Sequence, residues 1–595
     1  MRTGLSASHI TPWTAALGAA LALGLAACSG PPPTGPAAPM PPPVPAPTPP
    51  YILQPPTDKP GKPAASQDSS RLREPAVESR AEAHKAMRAP APVSPALMAM
   101  PAPSFAPSFA PAPQDRERYG AIDENGVRQV AQAPVSTFSI DVDTGSYSNV
   151  RRMLNAGRLP PSDAVRVEEL VNYFPYDYAG PADGKPFAVH AALAPAPWQP
   201  RNVLLRIGIK GQDVARANLP AANLVFLVDV SGSMHAPDKL PLLKASLKLL
   251  VNALRPQDRI TLVTYAGTTR VALPPTPGSD KTAIASAIDQ LVAGGSTAGA
   301  SGIALAYQAA QQSHIAGGIN RVLLATDGDF NVGITDFRQL KSLVEEKRKS
   351  GVSLSTLGFG TGNYNDQLME QLADAGDGAY SYIDNLMEGN KVLVSEMSST
   401  LATIARDVKI QVEFNPATVR EYRLIGYENR LLAREDFNND KVDAGDIGAG
   451  HTVTALYELT LADGPGLIDD LRYQPADRGS PPVASRHNEL AHVKLRYKRP
   501  GASASELTDI TVARDAIRPL AQGDADFRFA AAVSGFGQVL HGGRFTGGWT
   551  LDDARTLAQD ARGADLFGYR GEFLKLVALA QSLQTAPMPA SANAR

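Results

Sequence analysis

The spacing of hydrophobic positions changes character along the chain, and each change marks a different architecture. Between residues 221 and 384, short apolar runs at 224–228, 259–265, 321–326 and 352–359 alternate with helical stretches near 239–254, 281–292, 299–313, 335–349 and 364–374. Unbroken apolar runs read as strands covered on both faces, and their alternation with helices predicts a parallel, doubly wound α/β sheet. Asp258 and Gly351 fall where that scheme needs a turn and a helix end. After an expected helix at 387–405 the period drops to two, in Val408–Phe414, Thr452–Leu459 and His492–Lys498. Strict alternation is the mark of half-exposed antiparallel strands, so 407–500 predicts a β-sandwich. Strand-like runs at 138–143, 187–193 and 202–209 are expected to join it, which would make the α/β domain (221–385) inserted in, or flanked by, the sandwich. From about 524 to 585 the helical period returns, in Phe527 to Val539, Leu551 to Arg562 with Thr550 as cap, and Arg570 to Leu583.

The first 117 residues carry no such period. Arg2 precedes an apolar stretch from Ala15 to Ala27, too short to span a bilayer and laid out as a secretory signal over 1–27. The tetrapeptide Leu25-Ala26-Ala27-Cys28 resembles the bacterial lipobox, which implies cleavage before Cys28 and lipidation of its thiol. By the same resemblance Ser29 favours sorting to the outer membrane, with the body facing the periplasm. Cys28 is the one cysteine in the chain, so the folded domains rely on packing without an internal disulfide. Residues 28–117 then read as a disordered Pro/Ala-rich tether: 12 of the 20 residues from Pro31 to Pro50 are proline, and Pro-Ser-Phe-Ala occurs at 103–106 and again at 107–110. Such a composition cannot bury a core and favours extended polyproline II, reaching at most on the order of 200 Å. A role as ligand for a polyproline-binding domain is the alternative reading. At 595 residues the chain has room for several domains, and a net charge of −2 carries no basic stripe of the kind that binds nucleic acid.

Candidate chemistry concentrates in three loops of the α/β region. Asp229-Val-Ser231-Gly-Ser233 follows the first apolar run, Thr297 lies in the Gly-rich loop 294–299, and Asp327 ends the run 322–326. Two carboxylates and three hydroxyls form a hard-cation set, suited to Mg²⁺ and too poor in nitrogen and sulfur for zinc. In a doubly wound sheet these loops converge at the carboxyl ends of the strands, where such folds bind ligands.

The pattern D-x-S-x-S, then T, then D resembles the metal-ion-dependent adhesion site of von Willebrand factor type A domains, including integrin inserted domains. The resemblance implies that Asp229, Ser231, Ser233, Thr297 and Asp327 take its five positions, with Mn²⁺ or Ca²⁺ as substitutes for Mg²⁺. Ser231 and Ser233 can ligate directly, and Thr297 directly or through water. If Asp229 and Asp327 act partly through water, the ion keeps positive charge and an exchangeable position for a Glu or Asp from a partner protein. The competing reading is structural: hydroxyls that cap helices and an Asp229 that satisfies backbone donors. The stretches Val167–Phe174 and Phe567–Arg570 resemble the amino-terminal region (137–220) and carboxyl-terminal domain (524–585) of one bacterial subfamily of such proteins. The inserted layout is shared by integrin β chains.

Other near-motifs weigh less. Asp436, Asn438 and Asp440 imitate positions 1, 3 and 5 of a calcium loop and form a candidate second cation site. Lys441 stands where such a loop has glycine and Ile447 where it has glutamate, so an acidic, hydrated hairpin is the alternative. Asp141-x-Asp143-x-Gly145 is better read as helix capping after a strand. His487-Asn-Glu489-Leu-Ala-His492 has its histidines five apart and is rejected as a zinc helix, and His235 reads as an exposed loop residue. There is no phosphate loop and no nucleophile elbow. The expectation is a non-enzymatic, lipid-anchored envelope protein that binds an acidic protein ligand through Mg²⁺. A structural envelope scaffold is the second reading, and a metal-assisted hydrolase, for want of a general base, the third.

Overall fold

A computed structural model describes residues 116–585, apart from 183, 297–298, 329–336 and 470–485. The signal segment, Cys28 and nearly all of the tether therefore lie outside the described residues. The α/β domain is built on a six-stranded sheet in the order Tyr380–Ile383, Ser353–Phe359, Ile319–Thr326, Ala222–Asp229, Arg259–Tyr265, Thr269–Pro277. Every pairing is parallel except that of the last strand, which runs antiparallel along the edge. Ala222–Asp229 is buried along its whole length because both its faces are covered. Leu224, Phe226 and Val228 meet the helices Leu240–Ala253 and Lys281–Asp289, while Val225 and Leu227 meet Gly299–Gln312, Phe337–Arg348 and Asp366–Ala375. Alternate side chains of one strand thus feed two cores, which is why its sequence is an unbroken apolar run.

Two antiparallel sheets form the sandwich. One has the order Arg128–Gln129, Val419–Ile425, Thr452–Leu461, Gln199–Gly211, Phe187–Ala196. The other runs Ile447–Gly448, Thr403–Phe414, Glu489–Lys498, Glu506–Ala513, with Val135–Ser139 also paired to Thr403–Phe414. Each sheet draws strands from before residue 222 and from after residue 401, so the α/β domain is an insertion within the sandwich. Phe138, Ile207, Ile410, Val412, Tyr457 and Val493 are among the residues of the shared core. The sandwich is wider than the 407–500 read from the sequence, because Thr403 already pairs with Gly448 and the polar edge strand Glu506–Ala513 closes the far side.

Two further expectations are corrected. The helix expected over 387–405 is broken into Leu386–Asn390, a π-turn at Lys391–Ser395 and Met397–Leu401, since residues 403–405 are drawn into the sandwich. Asp141 and Asp143 do not cap a helix: Thr144 is the N-cap of Gly145–Asn155, and both carboxylates bind Arg430, at 3.1 and 3.0 Å.

The three carboxyl-terminal helices Ala525–His541, Leu551–Asp560 and Tyr569–Thr585 share one core with Gly145–Asn155 and Val167–Asn172. Tyr147 stacks on Tyr173 at 3.8 Å, and Phe174 meets Phe529 and Phe573 edge-on. Thr550 and Asp553 form a reciprocal capping box at the start of the second helix. Where this layer meets the α/β domain, charge is sealed in. Arg166 pairs with Asp366, Glu169 and Glu370, while Arg430 adds Glu370 and Asp374 to its aspartates. Arg151 binds Asp384, Glu388 and Glu572, and also donates to the Tyr173 hydroxyl.

Candidate metal centre

The strand order reverses at Ala222–Asp229, which has Arg259–Tyr265 on one side and Ile319–Thr326 on the other. A crevice opens at the carboxyl ends of strands at such a reversal. Asp229 is the last residue of its strand, and Asp327 follows the last residue of the neighbouring one, so the parallel register delivers two fully buried carboxylates to the same end of the sheet.

The first loop is tightly built. Asp229 Oδ1 accepts the Ser231 N–H at 2.8 Å, while Oδ2 accepts the Thr326 hydroxyl at 2.8 Å and the Tyr265 hydroxyl at 3.1 Å. The loop then winds into a short 3₁₀ turn, Gly232–His235, anchored by the fully buried Met234. Ser231 is buried beside Asp229 and Ser233 lies nearer the surface, with their Oγ atoms 3.0 Å apart. Two neighbouring oxygens of an octahedral Mg²⁺ shell are themselves about 3 Å apart, so the hydroxyl pair already has the separation an ion would impose. Burial pushes the Asp229 carboxyl up to about 6; the Ser231 hydrogen bonds work the other way, and Asp327 adds to the rise. A carboxylate starved of solvent in this way is one that a cation would relieve. The donor set therefore fits Mg²⁺.

The second loop is tied to the first. Gly232 N–H donates to the Gly295 carbonyl at 3.0 Å, and Gly294 N–H to that of Val230 at 2.7 Å. Gly295 has φ +87°, and a Cβ there would come within 3.2 Å of the Gly267 nitrogen, so the loop needs glycine. Thr297 lies two positions on, outside the described residues. At the third loop Asp327 Oδ2 accepts from Lys239 Nζ at 2.9 Å and from the Asn363 amide at 3.3 Å. Lys239 Nζ also donates to the Asn363 side-chain oxygen Oδ1 at 2.9 Å. Asp229, Ser231 and Ser233 are thus brought together, with Asp327 beside them.

Sequence reasoning did not single out Thr326, Tyr265, Lys239 or Asn363. Thr326 directly precedes Asp327, but Lys239 and Asn363 reach the site from separate loops and carry no periodic signal. His235 is exposed. The acidic loop at 436–440 spends its oxygens elsewhere: Asn438 accepts from Arg496, Asp440 from the Ser505 hydroxyl, and the Asp436 and Asp440 carbonyls from Lys409 and Lys498. His492 sits within a strand and faces Asp509. Among the described residues no cluster of three or more His, Cys, Asp or Glu is placed to hold a metal ion, the candidate centre offering two carboxylates with hydroxyls, and no helix is long and apolar enough to cross a membrane.

Comparison with known proteins matches the same layout. Residues 223–394 match the von Willebrand factor type A domain family, residues 113–206 a family described as von Willebrand factor, and residues 399–583 one described as "Uncharacterized protein YfbK, C-terminal". "Uncharacterized protein YfbK" of Escherichia coli (strain K12) is 52% identical over 473 residues, covering 78% of this chain and 81% of that protein. "Uncharacterized protein sll0103" of Synechocystis sp. (strain ATCC 27184 / PCC 6803 / Kazusa) is 30% identical over 195 residues, covering 33% and 45%. Among solved structures, "von Willebrand factor type A from Catenulispora acidiphila" is 18% identical with a TM-score of 0.37, covering 66% of this chain and 91% of that one.

Proposed function

Because the chain belongs to the YfbK family of von Willebrand factor type A proteins, we propose that it is a non-enzymatic, lipid-anchored envelope protein. In this reading it captures an acidic side chain of a protein ligand at its metal centre. The domain suggests an interaction or adhesion role in general; the finer reading rests on the hydroxyl pair of Ser231 and Ser233, 3.0 Å apart above a buried Asp229. Asp229, Ser231, Ser233, Thr297 and Asp327 would hold Mg²⁺. When bound, the ion supplies positive charge and an exchangeable coordination position. Asp229 holds the first loop in shape through the Ser231 N–H and takes hydrogen bonds from Thr326 and Tyr265 that fix its own orientation. Both carboxylates already accept hydrogen bonds from the protein and would face the ion, which leaves neither free to take a proton from an attacking water and favours binding over hydrolysis. The anchor rests on Leu25-Ala26-Ala27-Cys28, and Ser29 supports an outer-membrane position.

A pull-down from envelope extract, in Mg²⁺ and in EDTA, tests the reading. Binding is expected in Mg²⁺ alone and should vanish in a folded Asp229→Ala variant. Capture that survives both EDTA and the substitution would leave the protein as a scaffold whose sandwich and helices carry the contacts.

A further inference from the structure

Lys239 is an unexpected residue to find beside a cation site. It is the N-cap of the helix Leu240–Ala253, a position where a cationic residue gains nothing from the helix dipole, and its side chain makes no cap. Its side chain is only 6% exposed and lies across Gly360, whose missing Cβ would come within 2.3 Å of the lysine stem. Gly360 takes φ +80° and its carbonyl accepts the Tyr382 hydroxyl at 2.6 Å, so the groove that receives the stem is built into the domain. At the end of that groove the ammonium is held by Asp327 at 2.9 Å and by the Asn363 oxygen at 2.9 Å. A buried ammonium with two oriented acceptors is a fixed element of the site.

We propose that Lys239 is the charge-setting residue of the metal centre: its ammonium offsets the charge of Asp327, weakening the hold on the divalent cation and leaving the loaded site positive towards an acidic ligand. This rests on the metal-binding reading above. Asp229 and Asp327 bring two negative charges, and a divalent ion alone would bring the site to neutrality. With the Lys239 ammonium counted beside these two carboxylates, the same ion would leave a net charge of one positive, which a partner carboxylate would neutralise. The cost is repulsion between the ammonium and a cation that would share the Asp327 carboxylate with it, enough for an affinity change of about tenfold or more.

The test is Mn²⁺ binding to the purified full chain, followed by the electron paramagnetic resonance signal of free Mn²⁺. Lys239→Met and the polar Lys239→Gln are each expected to bind Mn²⁺ about tenfold tighter than the wild type, and Lys239→Arg to bind as the wild type does. The two neutral variants guard against one of them failing to fold, which circular dichroism checks. Unchanged or weaker binding by a folded neutral variant, against a wild type that does bind, overturns the proposal and leaves the metal-binding reading intact. No Mn²⁺ uptake by the wild type or by either variant overturns both. Uptake by a neutral variant alone supports the proposal in its strongest form, with the lysine standing in for the metal.

Discussion

Carboxylates are buried in two parts of the α/β domain, and the two parts treat them in opposite ways. At the junction with the helical layer, Asp366, Glu370 and Asp374 from one helix are gathered by Arg166 and Arg430 together with Asp141, Asp143 and Glu169. Guanidinium forks meet several oxygens at once, so little ligating capacity is left over. Burial still raises the Asp141 and Asp143 carboxyls, with Arg430 opposing in both and the neighbouring Asp141 charge adding to the rise of Asp143. At the candidate metal centre, among the described residues, Asp229 is met at hydrogen-bond distance by hydroxyl and backbone donors, and Asp327 by the Lys239 ammonium and the Asn363 amide. The junction spends its charge on holding two bodies together; the centre keeps some in reserve near the surface. Full compensation suits a joint, and partial compensation suits the binding site proposed for the three loops.

The contrast can be attacked at several points. The largest effect is expected from Arg430→Met, which strands Asp141, Asp143 and Glu370 in a buried place; a loss of about 3–5 kcal/mol should appear as a marked fall in Tm. A drop no larger than that of a surface substitution would show the junction to be no joint at all. Next, the wild type should gain about 2.7 kcal/mol at Mg²⁺ a hundredfold above its Kd, visible as a rise in Tm, and Asp229→Ala should lose that gain entirely. An equal rise in both proteins would move the ion elsewhere.

A smaller effect concerns a proton in the sandwich, at the half-buried His451. Burial, aided by Lys391 and Lys210, pushes His451 down to about 4. In the unfolded chain its imidazole protonates near 6.5, so its share of stability is whole above that pH and is lost as pH falls towards 4. Tm measured from pH 7 down to 4.5 should therefore decline less in His451→Gln, by on the order of 2 kcal/mol at the acid end. Parallel declines would place the proton uptake in other groups. The smallest effect is expected from Gly360→Ala, about 1 kcal/mol for a side chain at positive φ, accompanied by displacement of the Lys239 stem. Crystals of that variant with the Lys239–Asp327 pair unmoved would show that the groove does not position the lysine.

What could be read from the residues alone followed from local pattern. Runs such as 224–228 and 321–326 announce themselves because a strand covered on both faces has no polar side. The loops that carry Asp229, Ser231, Ser233 and Asp327 could then be placed at strand ends, and Thr550 was legible because a capping box is a four-residue event. What escaped was set by distant partners. Asp141 looks like a cap until Arg430, 289 residues away, is seen beside it. Lys239 finds Asp327 across 88 residues with no periodicity to link them. The edge strand Glu506–Ala513 was missed for a different reason: half of its residues are exposed and Val512 alone is buried, so its apolar face is too short to stand out.

The insertion also dictates an order of assembly. Val135–Ser139 has its neighbour in Lys409–Glu413, and Arg128–Gln129 in Glu421–Tyr422, so these two strands do not meet their sheet neighbours until the chain has been delivered past residue 422. Ala222–Asp229, by contrast, finds both of its neighbours within the next hundred residues or so. Short loops close sooner than long ones. The inner domain can therefore finish first, and the outer shell then closes around a completed guest, with the arginine joints as its last latches.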